Sequence, residues 1–303
     1  MGIGAFMFPA ILTVFLWATA VSCAHRSAKT LGSGSTANVA RLTLGVLVLA
    51  LWAHSFGKGF SGSALRWFLW SGFVGFGLGD LALYEALPRL GTRLTLLLTQ
   101  CSTTIFAALI EWLWLGTMLS AAQMGAAMLV LTGVALALAP QDHAHRERRA
   151  FWSGMGFSVL AALGQAGGAV LSRKGYLLMQ ATGETLDGGT AAYQRIVGGV
   201  GVALVFFLWL RWRGNGAEMA RGAWRKAAPW ITVNALSGPV IGVACFQWAL
   251  ATAPSGVVLA IVATQPLAVM PLAYVLEGDR PSVRSLIGGA VAVAGVAALA
   301  LAR

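Results

Sequence analysis

Asp80 is the deepest carboxylate in a sequence whose long apolar runs contain few charges. It lies about seven residues before the end of its run, which is roughly 10 Å along a helix. A central charge in hydrocarbon costs about 2.5–3.5 kcal/mol on insertion scales, so it needs a function or a partner. Asp80 is therefore a candidate site for a proton, a cation or a substrate amine. The alternative is a structural carboxylate that is protonated or pairs with an arginine.

Gln100 and Gln265 form a second candidate group, because both lie inside apolar runs. Pro266 and Pro271 follow Gln265, and proline removes backbone hydrogen bonds from a helix. A kinked helix with freed carbonyl groups beside an amide is a common basis for a substrate site within a membrane. The alternative is a hinge whose amides only bond one helix to another. Candidate neighbours that offer hydrogen bonds or a flat apolar wall are Trp17, Tyr84, Gln165 and Gln247.

Arg41 and Arg195 begin two further apolar runs and are expected on opposite faces of the membrane. Each could gate a vestibule or meet a substrate carboxylate, and Pro266 and Pro271 are the other candidate gating residues. The alternative is that both arginines extend towards lipid headgroups.

Two glutamates lie closer to the ends of their runs. Glu85 is expected to pair with Arg89 one turn later, and Glu111 to pack or to reach the membrane surface.

The composition excludes an ordinary soluble protein, since 58% of the residues are hydrophobic and only 10% are charged, with a mean hydropathy of +0.76. The net charge of +11 comes from short basic groups between apolar runs, which is typical of membrane proteins and argues against nucleic-acid binding.

Three cysteines within apolar runs indicate buried thiols rather than disulfides. The four histidines lie in loops or at the ends of runs, and no catalytic or nucleotide motif occurs. We therefore expect no enzyme activity, cofactor or metal.

The apolar runs are long enough to cross about 30 Å of hydrocarbon, where only helices satisfy their backbone groups internally. The fold class predicted is an all-α integral membrane protein with ten transmembrane helices in two inverted five-helix repeats. The predicted spans are 4–23, 36–54, 65–87, 92–115, 120–139, 151–172, 189–210, 227–250, 255–276 and 283–302. Small residues four apart, such as Gly164 and Gly168, are expected where these helices pack closely.

The repeat is visible in the sequence itself. The stretch from Ala82 to Ala139 aligns with Cys245 to Arg303, so that Gln100 falls on Gln265. Residues 1–140 and 151–303 then form the two halves, joined by a polar linker at 141–150. Since five crossings is an odd number, the second half must enter from the opposite side, which is the arrangement that supports alternating access.

The basic residues also predict an orientation. Fourteen of the 21 Lys and Arg residues follow the first, third, fifth, seventh and ninth spans, whereas six lie on the other side and Arg41 is inside a span. Cytoplasmic loops carry the excess of positive charge, which places both termini outside.

The stretch Gly278-Asp-Arg-Pro-Ser-Val-Arg-Ser-Leu-Ile-Gly288 resembles the G-E-R-L-S-x-x-Q-x-I-G motif of EamA-type drug/metabolite transporters. Asp279 stands where that family commonly has Glu, and Ser285 where it commonly has Gln. The resemblance implies a ten-helix exporter of small metabolites, such as amino acids, or of toxic compounds, located in a bacterial inner membrane. It also implies cytoplasmic termini, in contrast to the charge distribution.

The function expected is secondary transport by rocking of the two halves around a midplane cavity. The partners expected are a small-molecule substrate, the lipid bilayer and a proton or counter-substrate, with a monomer or homodimer as the unit. The alternatives are a lipid-linked carrier or flippase, a membrane enzyme, or a non-transporting scaffold.

Overall fold

The computed structural model describes residues 4–90, 92–138, 148–213, 222–277 and 282–302, and these residues form helices and no strands. Eight helical stretches among them are long and apolar enough to cross a membrane. The α-helices are α1 Gly4–Leu31, α2 Gly34–Ser55, α3 Leu65–Gly72, α4 Asp80–Leu90, α5 Thr92–Leu115, α6 Ala121–Leu138, α7 Arg148–Ala181, α8 Gly188–Trp212, α9 Ala223–Ala235, α10 Val243–Thr252, α11 Ser255–Val262, α12 Gln265–Glu277 and α13 Val283–Leu301.

Two of the helical paths contain a π-helical segment. Segment π1, Phe73–Gly79, joins α3 to α4, and segment π2, Leu236–Gly242, joins α9 to α10. The register that aligns Ala82 with Cys245 also aligns these two segments with each other, end to end. Their compositions differ: π1 is rich in glycine, whereas π2 contains Pro239, which has no amide hydrogen to donate. Such segments are frequent at functional sites, and here they occupy equivalent positions in the two halves.

The predicted span 255–276 is divided into two helices. α11 ends at Val262 and α12 begins at Gln265, after two intervening residues, with Pro266 in its first turn. Proline suits the start of a helix because its missing donor would be unpaired there anyway. The kink predicted from the prolines is thus a helix break directly before Gln265. α5, which carries Gln100, runs without a break.

Small residues hold the first-half helix path against α7, as predicted. A side chain added at Gly164 would meet the Cα atom of Gly79 at 2.6 Å, and one at Gly168 would meet the Cα atom of Gly75 at 3.0 Å. Ser71 Oγ adds a hydrogen bond of 2.6 Å to the carbonyl oxygen of Gly168. The two helix backbones are so close that only glycine fits between them. Small residues at helix interfaces permit this close packing in lipid.

Most of the predicted polar linker precedes α7. Residues 141–147 lie outside the described part of the chain, and α7 begins at Arg148. Many large apolar side chains on the outer surfaces of the helices are exposed, for example Leu51, Trp152 and Leu208. Exposure of this kind fits a surface that faces hydrocarbon rather than water.

Candidate functional site

A cavity of about 200 Å³ lies where the two halves meet, and both halves line it. Its walls come from α1, α2, π1, α4 and α5 of the first half, and from α7, α8, α9, π2, α10, α11 and α12 of the second. The polar side chains that line it are Trp17, Arg41, Asp80, Gln100, Gln165, Arg195, Asn234 and Gln265. It therefore collects most of the residues that the sequence singled out for chemistry.

Asp80 and Arg41 form an ion pair within this cavity. Arg41 Nη2 lies 3.6 Å from Asp80 Oδ2, and both side chains are largely buried. Arg41 Nε also donates a hydrogen bond of 2.8 Å to Asn38 Oδ1, three residues earlier on α2. Asp80 is the first residue of α4 after the π-helical segment, so π1 determines where its carboxylate enters the cavity.

Arg195 is buried, with 5% of its surface exposed. Its guanidinium carbon lies 5.0 Å from the ring centre of Phe76 and 5.4 Å from that of Phe246. Gly75 makes room for it, because a Cβ atom there would come within 2.8 Å of Arg195 Nη2. Atoms Nε and Nη1 have no hydrogen-bond acceptor among the described residues. The guanidinium is thus held by two aromatic faces and leaves hydrogen-bonding capacity unused.

The sequence placed Arg41 and Arg195 at two separate vestibules, and the structure brings both to one cavity. Each lies about two turns into its helix, α2 or α8, rather than at the end. This depth lets both arginines reach the centre instead of the headgroups.

Gln100 and Gln265 meet across the junction of the halves. Gln100 Nε2 donates to Gln265 Oε1 at 3.2 Å, and Gln265 Nε2 donates to the carbonyl oxygen of Trp17 at 3.3 Å. Both amides are buried at the cavity wall. The chain of bonds ties α5, α12 and α1 together, and Trp17 packs against Phe246 with ring centres 5.2 Å apart.

Other predicted site residues lie elsewhere. Gln247 is fully buried, does not line the cavity, and its amide atoms have no hydrogen-bond partner among the described residues. Pro266 is buried and Pro271 exposed, and neither lines the cavity. The side chain of Tyr84 lies outside the described part of the structure.

The sequence reasoning missed Asn234 and the aromatic residues Phe76 and Phe246, which line the cavity. Asn234 had a usable signal, because it is an amide inside an apolar run and precedes Pro239 by little more than one turn. Phe76 and Phe246 had none, since phenylalanine is ordinary in a membrane helix.

Glu111 lies away from the cavity in a buried cluster of its own. Its Oε2 atom accepts a hydrogen bond of 2.6 Å from the Ser255 amide and another from the Ser255 hydroxyl. Its Oε1 atom lies 3.7 Å from Arg173 Nε, and Arg173 Nη1 donates to the carbonyl oxygens of Leu250 and Ala251. Glu85 instead forms the expected half-exposed pair with Arg89. Glu111 joins α5 to α7 and to the start of α11, Glu85 is bonded within α4, and neither lines the cavity.

Comparison with known proteins gives a consistent result. No curated protein matches the chain significantly. Twenty-nine solved chains resemble it. One of them, titled only "Crystal structure of protein", has 19% sequence identity and a TM-score of 0.68, and the match covers 98% of this chain and 95% of that one. At this identity the likeness shows the fold alone.

The EamA-like transporter family matches twice, at residues 3–139 and 152–301. Two matches in tandem account for nearly the whole sequence, and with the apolar helices they make this a multi-pass membrane protein of a transporter family rather than an enzyme family. The resemblance inferred from the sequence motif is thereby confirmed. The chain belongs to the EamA-like transporter family.

Proposed function

We propose that this protein is a secondary active transporter that exports a small metabolite by alternating access around the cavity between its halves. The observation that carries the proposal is the cavity itself, where Asp80, Arg41 and Arg195 lie together at the junction of the two halves. Buried charges are costly in a membrane, and substrate or ion pathways are where they usually occur.

The packing of the helices supports two halves related by a two-fold axis. In the first half α1 packs against α9, π2 and α10, and in the second half α7 packs against α3, π1 and α4. α2 packs against α8, and α6 against α13. Exchange of the two halves maps these contacts between the halves onto one another. On this proposal the paths α3–π1–α4, α9–π2–α10 and α11–α12 each cross the membrane once, which makes ten crossings and two inverted repeats.

Asp80 is the group proposed to couple transport to a proton or cation. It is the acidic residue among the side chains that line the cavity, and its partner Arg41 is 3.6 Å away rather than in close contact. A carboxylate in this position can exchange its arginine partner for a proton while the substrate occupies the site. Gln100, Gln165, Gln265 and Trp17 are proposed to line the substrate site. The break before Gln265, beside Pro266, is the proposed hinge.

Flux in proteoliposomes tests the coupling. We expect wild-type protein to move at least one member of a panel of small metabolites faster when a pH gradient is applied. Asp80→Asn should abolish the dependence on the gradient, because an amide cannot carry the proton. Glu85→Gln is the matched control, since it makes the same change on the same helix in a half-exposed pair.

Two results would count against this proposal. Gradient-driven flux that is unchanged in Asp80→Asn would remove the coupling role of Asp80. Wild-type vesicles that move no compound of a broad panel would argue against the transport function itself.

A further inference from the structure

Two polar side chains that line the cavity have buried hydrogen-bond donors without an acceptor in the described part of the protein. Arg195 Nε, Arg195 Nη1 and Asn234 Nδ2 are all buried without an acceptor among the described residues, and both side chains line the cavity. Asn234 is 2% exposed and Arg195 is 5% exposed. Nearly all buried polar groups in native proteins find a partner, so these donors leave hydrogen-bonding capacity at the cavity that the described protein groups do not fill.

Several polar groups near these donors bond to other partners. Gln100 and Gln265 bond to each other and to the backbone of Trp17, and Asn38 Oδ1 accepts from Arg41. Asp80 lies within ion-pair distance of Arg41 but not of Arg195. Among the described side chains that line the cavity there are two arginines and one carboxylate, which leaves one positive charge without a counterion.

The shape around Arg195 restricts what can supply the missing charge. Phe76 and Phe246 hold its guanidinium between their rings, and Trp17 packs beside Phe246. A guanidinium N–H donates a charge-assisted hydrogen bond to a carboxylate oxygen, and the aromatic rings offer flat apolar walls to the body that carries it. A cavity of about 200 Å³ is smaller than the 300–1,000 Å³ usual for drug-sized ligands, so the body is about one ring in size.

We propose that the transported substrate is an organic monocarboxylate anion of about one ring, with its carboxylate on Arg195 and Asn234 and its apolar body against Phe76, Phe246 and Trp17. This inference rests on the proposed function for the role of the cavity. It goes further because it requires a net negative substrate, which excludes amines and uncharged solutes of the same shape.

Equilibrium binding to purified protein in detergent tests the charge requirement without any need for transport. The probes are phenylacetate, its uncharged isostere phenylacetamide and the cation phenethylamine, each titrated by calorimetry. We expect phenylacetate to bind at least tenfold more tightly than either of the others, because a charge-assisted pair is lost with them. Equal affinity for phenylacetamide, tighter binding of phenethylamine, or no binding of phenylacetate would overturn the inference, even if Arg195 variants do not fold.

The matched variants are Arg195→Gln and Arg66→Gln. Arg195→Gln should weaken phenylacetate binding by roughly tenfold or more, while Arg66→Gln, an exposed arginine on α3 outside the cavity, should leave it unchanged. Phenylacetate affinity within twofold of wild type in folded Arg195→Gln would contradict the assignment. If another class of compound is transported in the flux assay while phenylacetate does not bind, the substrate class is wrong and the transport function stands.

Discussion

Glu111 shows what the sequence pattern around a single residue leaves open. Its position near the end of an apolar run indicated packing or contact with the membrane surface; it packs, with 1% exposed, and is bonded to Ser255 and Arg173, which the run did not indicate. Its partners lie on α11 and α7, far away in sequence. Local spacing in the sequence does not distinguish a carboxylate with partners on other helices from one without partners. The pair of Glu85 and Arg89 was predictable because the two residues are one helical turn apart.

Replacing Glu111 by Gln should destabilise the protein strongly. The change leaves Arg173 buried without its counterion, and breaking a buried pair in this way costs about 3 kcal/mol. The free energy of unfolding, measured by detergent titration in mixed micelles, checks the value. Glu85→Gln is the control, with an expected cost of about 0.5 kcal/mol or less because its pair is half-exposed. If the two variants lose the same free energy of unfolding, the buried Glu111 pair stabilises the protein no more than the half-exposed Glu85 pair does.

Much of the candidate site could be predicted from the residues themselves, because polar groups in hydrocarbon are conspicuous. Asp80, Gln100, Gln165 and Gln265 line the cavity, as does Trp17. Gln247 was equally conspicuous but lies elsewhere, since the sequence does not show which face of α10 is directed at the cavity.

At the scale of elements, the sequence predicted where helices occur better than how they are interrupted. The break before Gln265 followed from Pro266, but π1 contains no proline and its glycines indicated only close packing. A turn of π-helix contains about one residue more than a turn of α-helix. Over the seven residues of π1 this difference gives no recognisable hydrophobic period in the sequence. The close contact between α6 and α13 was also not predicted, because it joins the last helix of each half, far apart in the sequence.

The α6–α13 contact yields a sharp test, since two adjacent glycines of α13 differ in their surroundings. A Cβ atom at Gly288 would lie 2.6 Å from the carbonyl oxygen of Gly133 on α6, whereas one at Gly289 would meet nothing within 4 Å. Gly288→Ala should therefore lower the free energy of unfolding by about 1–3 kcal/mol through overpacking. Gly289→Ala should leave it unchanged or raise it by up to about 1 kcal/mol, because alanine favours a helix. If both variants unfold alike, α6 and α13 do not pack as closely as described.

At the scale of the whole molecule, the structure alters the count of charges on which the orientation depends. Arg173 and Arg195 were counted as loop charges on the less basic side. Arg173 instead pairs with Glu111, and Arg195 lies inside the bundle at the cavity. Neither is available to interact with a membrane surface. The difference between the two sides is therefore larger than the sequence count indicated, and it favours the side of the α1–α2 connection as cytoplasmic.

We therefore expect the connection between α1 and α2 to face the cytoplasm and that between α2 and α3 to face outward. The test is labelling of single cysteines on intact cells with a membrane-impermeant maleimide, after the native Cys23, Cys101 and Cys245 are replaced by alanine. Ser61→Cys, exposed between α2 and α3, should react directly, whereas Gly34→Cys, exposed at the start of α2, should react only after permeabilisation. Reaction at Gly34→Cys alone would reverse the assignment and place both termini in the cytoplasm, as the family resemblance implies. Since the cavity would keep its residues in either case, this outcome would change the direction in which substrate enters but not the charge that the cavity requires.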